Sequence, residues 1–373
     1  MWKDRAGREK VHSAMAEGKF QHVLTLHNRG GETITVRLRK YREGDEKRMI
    51  SCIRDEYGDT YFRKDFYDPE YIRKTAKEGS ITFLVAVTGE GDVAGMMILK
   101  RFYPKESMCE IASQIFRKKY RGYGLAMPFF QYGMGLLLEG AYSAAFCLPV
   151  MFHNVTQRLL QRLDMHATGL MLNVFDMECV THSYHNGRNR KHSQGIQIRA
   201  FHKKDAGTLY IPEEHGAFFR NTYDTLGVSY RFAKIDRHAA EELYEEFPTC
   251  SEIEYTNNDV HKSLEIRVHR VGRDLEKQIM QLYTRYPLKD KQTAVLLLNC
   301  NDAGAVWGYE ILKQMGYFFA GLKPLCSERE YMVLHHPGQV EIFFQDYSTS
   351  GEFDNLIKYI EDCYRQRNGV LTL

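Results

Sequence analysis

The sequence lacks the features that mark several large classes of protein. Its eight cysteines lie singly, with no CxxC pair and no zinc-module spacing, which argues against a disulfide framework or a zinc domain. No window approaches the ~18 consecutive apolar residues that a membrane-spanning helix needs, and the N-terminal segment has no apolar core of a secretory signal. Neither the GxSxG pattern of nucleophile-elbow hydrolases nor the GxxxxGK[ST] pattern of P-loop proteins occurs. We therefore expect reduced thiols and a cytoplasmic location.

Excess charge of one sign is also absent. Lys plus Arg number 51 against 48 for Asp plus Glu, and a net charge of +3 gives no sign of a nucleic-acid or membrane-surface partner. The 373 residues are 43% hydrophobic and 13% aromatic, which is enough for two cores. The histidines at 182, 185 and 192 are not interleaved with cysteine or carboxylates at ligand spacing, so no metal site is expected.

Apolar periodicity predicts an α/β protein of two domains. Residues 33–40 alternate as a half-buried strand does, and Asp68-Pro69-Glu70 has the cap, proline and acid of a helix start. The other predicted elements are a helix after Asp45, a hairpin at 81–99, strands at 110–116, 142–151 and 168–175, and helices at 124–139 and 156–163. We expect a leader at 1–32, a first domain at 33–180, a linker at 181–199 and a second domain at 200–373.

The second half contains a weak copy of the first. Residues 156–172 and 308–324 align at an offset of 152, so that Gly169 meets Gly321. At the same offset Gly122 meets Asp274 and Gly124 meets Glu276. Carboxylates would repel a phosphate group, so the second half should not bind a phosphate ligand in the way the first half could.

A glycine-containing segment between the strand at 110–116 and the next helix is the strongest functional signal. Gly122 and Gly124 allow backbone N–H groups to approach a pyrophosphate, and a helix N-terminus favours negative charge. Basic residues surround the glycines. The predicted binding residues are Ile115, Phe116, Arg117, Lys119, Tyr120, Arg121, Gly122, Tyr123, Gly124 and Leu125. Alone, such a pattern is equally typical of a tight strand-to-helix turn.

With this element order, the segment resembles the acyl-CoA loop of the GNAT N-acetyltransferase superfamily, Gln/Arg-x-x-Gly-x-Gly/Ala, at Lys119, Gly122 and Gly124. The resemblance covers about residues 33–175 and implies a GNAT fold with acetyl-CoA or another acyl-CoA as co-substrate. It also implies an oxyanion contact from the backbone near Ile115 or Phe116, and a cofactor contact from Asn154. The second half resembles a degenerate GNAT domain, and the resemblance implies in each domain a mixed, mostly antiparallel sheet flanked by helices.

The resemblance further implies a general base, for which Glu110 is our candidate, because an amine must lose a proton before it attacks a thioester. A tyrosine usually serves as the acid, but Leu160 stands at the matching position. Tyr61, Tyr120, Tyr123 and His153 remain alternatives. The alternative is that Glu110 is a strand-edge residue that faces solvent or pairs with a lysine.

Tyr57, Asp59, Tyr61, Phe66 and Tyr67 cluster in the loop that should face the acceptor, although they could equally close the core beneath the first two helices. The sequence thus predicts an acyltransferase that moves an acyl group from acyl-CoA directly to a small-molecule or peptide amine. The alternative is a non-catalytic acyl-CoA sensor or a protein-interaction module. The second half could cover the acceptor cleft, supply the face of a homodimer, or have no chemical role.

Overall fold

The computed structural model describes residues 23–101, 107–140, 142–176, 191–201, 205–233, 246–326 and 329–370. The chain divides into two compact units. Unit 1 consists of Met1–Cys147, Gln161–Asp164 and Glu178–Asn186, and unit 2 of Leu148–Leu160, Met165–Met177 and Gly187–Leu373. No helix within the described ranges is long and apolar enough to cross a membrane.

Unit 1 is a mixed α/β structure with a mostly antiparallel sheet. The sheet order is β1-β2-β3-β4-β5-β6, and β5 and β6 alone among these neighbours are parallel. Its elements are β1 (Val23–His27), β2 (Thr33–Lys40), α1 (Glu46–Tyr57), α2 (Pro69–Glu78), β3 (Ile81–Thr88), β4 (Val93–Lys100), β5 (Met108–Phe116), α3 (Ala126–Glu139) and β6 (Ala144–Cys147).

Local sequence signals explain how α2 begins and where the core forms. The Asp68 side chain accepts a hydrogen bond from the backbone N–H of Glu70 at 2.9 Å, and Pro69 occupies the first turn. Helices α1 and α2 bury one apolar face in a core that also includes Phe66 and Phe83. The helix starts and the hairpin predicted from the sequence are confirmed.

Strand β5 is irregular where it approaches the glycine segment. Ala112 pairs with Ile98 and Ile115 with Met96, so Ser113 and Gln114 together face a single residue of β4 in a β-bulge. On its other side, β5 pairs with β6 only over Met108–Glu110. Within the described part of unit 1, the edge of β5 beyond Glu110 therefore has no strand beside it.

Unit 2 is also mixed α/β. Its large sheet runs β8-β7-β14-β15-β13-β12-β11, antiparallel except for β12 and β13, and β9 and β10 form a separate parallel pair. Its elements are α4 (Val155–Gln161, of which Gln161 is counted in unit 1), β7 (His166–Asp176), β8 (Lys191–Ala200), β9 (Asp205–Leu209), α5 (Gly216–Leu226), β10 (Ser229–Phe232), β11 (Glu252–Asn258), β12 (Ser263–Arg270), α6 (Leu275–Arg285), β13 (Thr293–Asn299), α7 (Ala305–Gln314), β14 (Phe318–Cys326), β15 (Arg329–His336) and α8 (Glu352–Val370).

The predicted offset of 152 separates the starts of two strands, whereas the helices before them, α4 and α7, start 150 residues apart. Strands β7 and β14 begin at His166 and Phe318, and they pair with each other at Gly169 and Gly321. A Cβ atom on Gly321 would lie 2.3 Å from the Cα atom of Gly169, so this crossing requires glycine. That the two halves are whole domain copies stays a prediction.

Three details differ from the sequence-based expectation. Strand β1 lies in the segment expected to be a leader. Strand β6 ends at Cys147, two residues before Pro149, whereas a strand to 151 was predicted; proline cannot donate to a sheet ladder. Strand β8 begins at Lys191, inside the expected linker, and the rest of that linker up to residue 190 lies outside the described residues.

Candidate functional site

The β5–α3 loop, residues 117–125, has the backbone shape that the two glycines suggested. After a short 3₁₀ turn at Lys118–Tyr120, Gly122 and Gly124 have φ values of 86° and 75°, and α3 begins at Ala126. A Cβ atom at either glycine would meet nothing within 4 Å. The glycines are therefore needed for their left-handed backbone, and the space above them is open.

A row of backbone donors starts at the first glycine. Among the described residues, the N–H groups from Gly122 to Met127 have no hydrogen-bond acceptor, Pro128 has no N–H, and the first helical bond runs from the N–H of Phe129 to the carbonyl of Leu125 at 3.1 Å. Free donors at the N-terminus of a 14-residue helix form an anion-binding arrangement.

The carboxylate of Asp92, in the turn between β3 and β4, holds three side chains of this loop. It accepts hydrogen bonds from Arg117 at 2.6 Å, from Lys119 at 2.7 Å and from the Tyr120 hydroxyl at 2.9 Å. Burial raises the pKa of Asp92, but the bonds from Lys119 and Tyr120 and the charge of Arg117 outweigh burial and hold the pKa below its usual value. Sequence reasoning missed Asp92, since only its turn propensity was visible.

Further acids hold the rest of the loop. Arg121 pairs with Glu56 and also donates to the carbonyl of Phe116 at 3.1 Å. Asp55 accepts the N–H of Lys118 at 2.9 Å, and the Tyr123 hydroxyl donates to Glu32 at 3.0 Å. Arg117, Lys119 and Arg121 already face carboxylates, so the backbone N–H groups and the exposed Lys118 side chain are the donors that this loop offers an anion.

The predicted cofactor-binding residues Ile115, Phe116 and Leu125 lie at the end of β5 and at the start of α3. Ile115 is buried in the core, and its carbonyl lies 3.9 Å from the Cys52 sulfur. The ring of Phe116 packs against Phe129 with 6.0 Å between centroids. Leu125 is buried where α3 begins.

Two of the three predicted catalytic side chains are neighbours. Glu110 is partly buried on β5, opposite Lys100. Tyr61 is 3% exposed, and burial raises its pKa far above the usual value; a hydrogen bond with Ser113 opposes this rise and the charge of Glu110 adds to it. The third, Tyr120, is instead tied to Asp92.

The expected acceptor cluster divides between core and surface. Phe66 is fully buried, and Tyr61 packs against Tyr57 at 4.7 Å between centroids. The Tyr67 hydroxyl closes the loop by donating to the carbonyl of Gly58 at 2.7 Å. Asp59 is exposed and pairs with Arg54 at 3.1 Å.

The candidates at 153–160 belong to unit 2. Asn154 donates from Nδ2 to the carbonyl of Thr349 at 3.2 Å. Burial holds the pKa of His153 below its usual value. Leu160 is fully buried.

The segment of unit 2 that the predicted offset of 152 aligns with the end of β5 and its loop differs from it in structure. Strands β12 and β13 pair without interruption from Ser263 to Val268. Asp274, at the Gly122 position, accepts hydrogen bonds from the N–H of Ser251 at 2.7 Å and from Gln278 at 2.8 Å. The described ranges contain no group of His, Cys, Asp or Glu that could hold a metal ion.

No family model matches the chain, and no curated protein matches it. Solved structures of N-acetyltransferases do resemble it. A mutant of the spermidine/spermine N-acetyltransferase SpeG from Vibrio cholerae has 12% identity and a TM-score of 0.37, covering 44% of this chain and 95% of that one. The ribosomal L7/L12 alpha-N-protein acetyltransferase RimL has 11% identity and a TM-score of 0.34, covering 44% and 93%. At these identities and TM-scores, the likenesses decide neither fold, activity nor substrate.

Proposed function

We propose that unit 1 binds acetyl-CoA or another acyl-CoA and transfers the acyl group directly to an amine. The observation that carries the proposal is the row of backbone N–H groups from Gly122 to Met127, which have no acceptor among the described residues and begin beside two left-handed glycines. Such donors at a helix start suit the pyrophosphate of a CoA ester. The edge of β5 beyond Glu110 supports the same proposal, because no described strand of unit 1 pairs with it there and an extended acyl arm could lie along it.

The proposed roles of the chain's residues follow from these positions. The 122–127 N–H groups hold phosphate oxygens, and a backbone N–H near Ile115 or Phe116 faces the thioester oxygen. Glu110 takes the proton that an ammonium group must lose before it attacks, because an alkyl amine with a pKa of ~10 is mostly protonated near neutral pH. Tyr61 keeps its proton and is the better placed of the two tyrosines to donate toward the strand that carries Glu110.

Calorimetric titration with acetyl-CoA tests the binding step. Gly124→Glu adds a carboxylate and a side chain at a left-handed position, and it should weaken binding at least ~10-fold. Gly79→Glu is a matched control, because Gly79 has a φ of 72° with nothing within 4 Å and ends α2. Equal affinity in Gly124→Glu and wild type, or no binding by wild type, would overturn the proposal.

The rival function is a non-catalytic acyl-CoA sensor. Leu160 is fully buried at the position where similar enzymes have an acid, and Tyr120 is held by Asp92. Thioester turnover with a broad panel of small-molecule and peptide amines distinguishes the two. Turnover by wild type that Glu110→Gln lowers at least ~100-fold supports the enzyme, whereas CoA binding with no turnover supports the sensor.

A further inference from the structure

Helices α6 and α7 of unit 2, together with the end of β15, form the walls of a pocket of about 360 Å³. This volume lies in the range of pockets that take small organic molecules, roughly 300 to 1,000 Å³. Along α6 the lining residues Glu276, Met280 and Tyr283 follow one another at helical spacing, so they share one face of the helix. We call this space the α6–α7 pocket.

Most of the lining of the α6–α7 pocket is apolar or uncharged. Four apolar side chains supply aliphatic and thioether groups: Met280, Leu288, Ile311 and Met315. Methionine is flexible and adapts to the shape of what it contacts. His336 adds a neutral ring, because burial lowers its pKa to about 4 and its Nδ1 atom accepts the N–H of Gly338 at 3.0 Å. The ring of Tyr283 lies beside it, with 5.9 Å between centroids. Such walls suit a hydrocarbon group.

Glu276, in the first turn of α6, is the lining residue that carries a charge. Its side chain is exposed, and no described Lys, Arg or His pairs with it. The nearby carboxylate of Asp274 is instead occupied, because it accepts hydrogen bonds from the N–H of Ser251 and from Gln278. Glu276 therefore leaves a negative charge at the pocket, which attracts a cation and disfavours an anion.

We propose that the α6–α7 pocket binds a small apolar amine, with its ammonium group at Glu276 and its hydrocarbon part between the two helices. The carboxylate makes an organic anion a poor occupant, and the apolar walls make a strongly hydrated cation a poor one. The inference does not depend on the proposed function of unit 1, because every lining residue belongs to unit 2.

NMR titration of the full chain with phenethylamine, observed through isotope-labelled methionine methyl groups, tests the proposal. Met280 and Met315 line the pocket, so their signals, assigned with Met280→Leu and Met315→Leu, should shift together with one Kd. Glu276→Gln should raise this Kd about 3- to 5-fold, the effect of one partly exposed ion pair. It should leave the Kd for the uncharged phenethyl alcohol unchanged. If neither methionine signal shifts in wild type, the proposal is wrong.

A charge placed inside the pocket provides a second test. Met280→Lys puts an ammonium group four residues after Glu276, where the two side chains pair on the helix surface, and should weaken phenethylamine binding about tenfold or more, as read from Met315. Met280 is 53% exposed, so folding should be unaffected. Gln281→Lys adds the same charge at an exposed position of α6 that does not line the pocket, and it should leave the Kd unchanged.

Two results would overturn the assignment of the amine to Glu276. One is an equal loss of phenethylamine binding in Met280→Lys and Gln281→Lys, which would reflect net charge rather than the pocket. The other is a loss in Glu276→Gln that is as large for phenethyl alcohol as for phenethylamine, because the carboxylate would then not distinguish the ammonium group.

Discussion

Replacing Asp92 by asparagine should release the β5–α3 loop. The carboxylate bonds to Arg117, Lys119 and Tyr120, and the side chains of Asp92 and Arg117 are only 23% and 18% exposed. A charge-assisted hydrogen bond in partly buried surroundings contributes about 1.5 to 3 kcal/mol. The Lys119 side chain is 59% exposed, so its pair adds less than about 1 kcal/mol. Asparagine keeps one acceptor oxygen, so we expect the free energy that holds the loop closed to fall by about 1.5 to 2 kcal/mol.

Limited trypsin digestion measures this loss directly, because the loop contains cleavage sites at Arg117, Lys118, Lys119 and Arg121. Cleavage follows the population of the open loop when opening and closing are fast. A loss of ~1.5 kcal/mol should therefore speed cleavage here about tenfold. The exposed pair of Asp59 with Arg54 provides a control, and Asp59→Asn should leave the rate at this loop unchanged.

The pH dependence gives a second check on the same carboxylate. Because the folded pKa of Asp92 lies below its unfolded value of 3.8, its contribution to stability is present above pH 3.8 and disappears as the pH falls through the folded value. The stability difference between wild type and Asp92→Asn should thus be constant from about pH 5 to pH 8 and shrink in stronger acid.

In the trypsin assay, a cleavage rate of Asp92→Asn within about twofold of wild type, or an equal increase in Asp59→Asn, would refute the proposed role of Asp92.

Two further predictions concern unit 2. Gly321→Ala should lower the free energy of unfolding of unit 2 by about 3 kcal/mol or more, because the new Cβ atom would lie 2.3 Å from the Cα atom of Gly169. Gly227→Ala is the control: Gly227 has a φ of 67° and nothing within 4 Å, so this variant should lose only about 1 kcal/mol. Thermal unfolding of both variants measures the difference. His215 is buried between the hydroxyls of Tyr309 and Tyr359, and burial lowers its pKa from 6.5 to about 4. Below pH 6.5 the unfolded chain binds a proton at His215 that the folded protein does not yet bind, so the free energy of unfolding falls as the pH drops toward 4. The fall from this residue amounts to about 2 kcal/mol at pH 5. Urea unfolding at pH 7.5 and pH 5 should show a smaller loss in His215→Gln, and identical losses would contradict the assignment.

Local sequence signals predicted most of the elements of unit 1. The start of α2 at Asp68-Pro69 and the alternating strand at 33–40 each depend on residues a few positions apart in the sequence. Both could therefore be predicted without knowing any long-range contact. Strand β1 was missed because only pairing with β2 organises it. The glycines of the β5–α3 loop were found because their backbone requirement is itself local.

The candidate site was only partly predictable because its contacts are long-range. Asp92 lies 25 residues from Arg117 and 28 from Tyr120, and only the register of β3, β4 and β5 brings them together. The same register creates the bulge at Ser113 and Gln114, which the residue types at these positions do not predict. A residue that was chosen as a catalytic candidate for its side-chain type, such as Tyr120, can therefore be hydrogen-bonded elsewhere, in this case to Asp92.

The two units differ at the places that the predicted offset of 152 aligns. Strands β5 and β12 each pair in parallel with the strand that follows the next helix, but β5 does so over three residues and β12 over six. A ligand that lies along a strand needs its unpaired backbone groups, and the uninterrupted pairing of β12 leaves none over Ser263–Val268. Asp274 then replaces the first glycine and bonds within unit 2. Because strand pairing and the residues at the helix start both differ from those of unit 1, placing glycine at 274 and 276 should not create binding of acetyl-CoA in unit 2, which calorimetric titration of that variant checks.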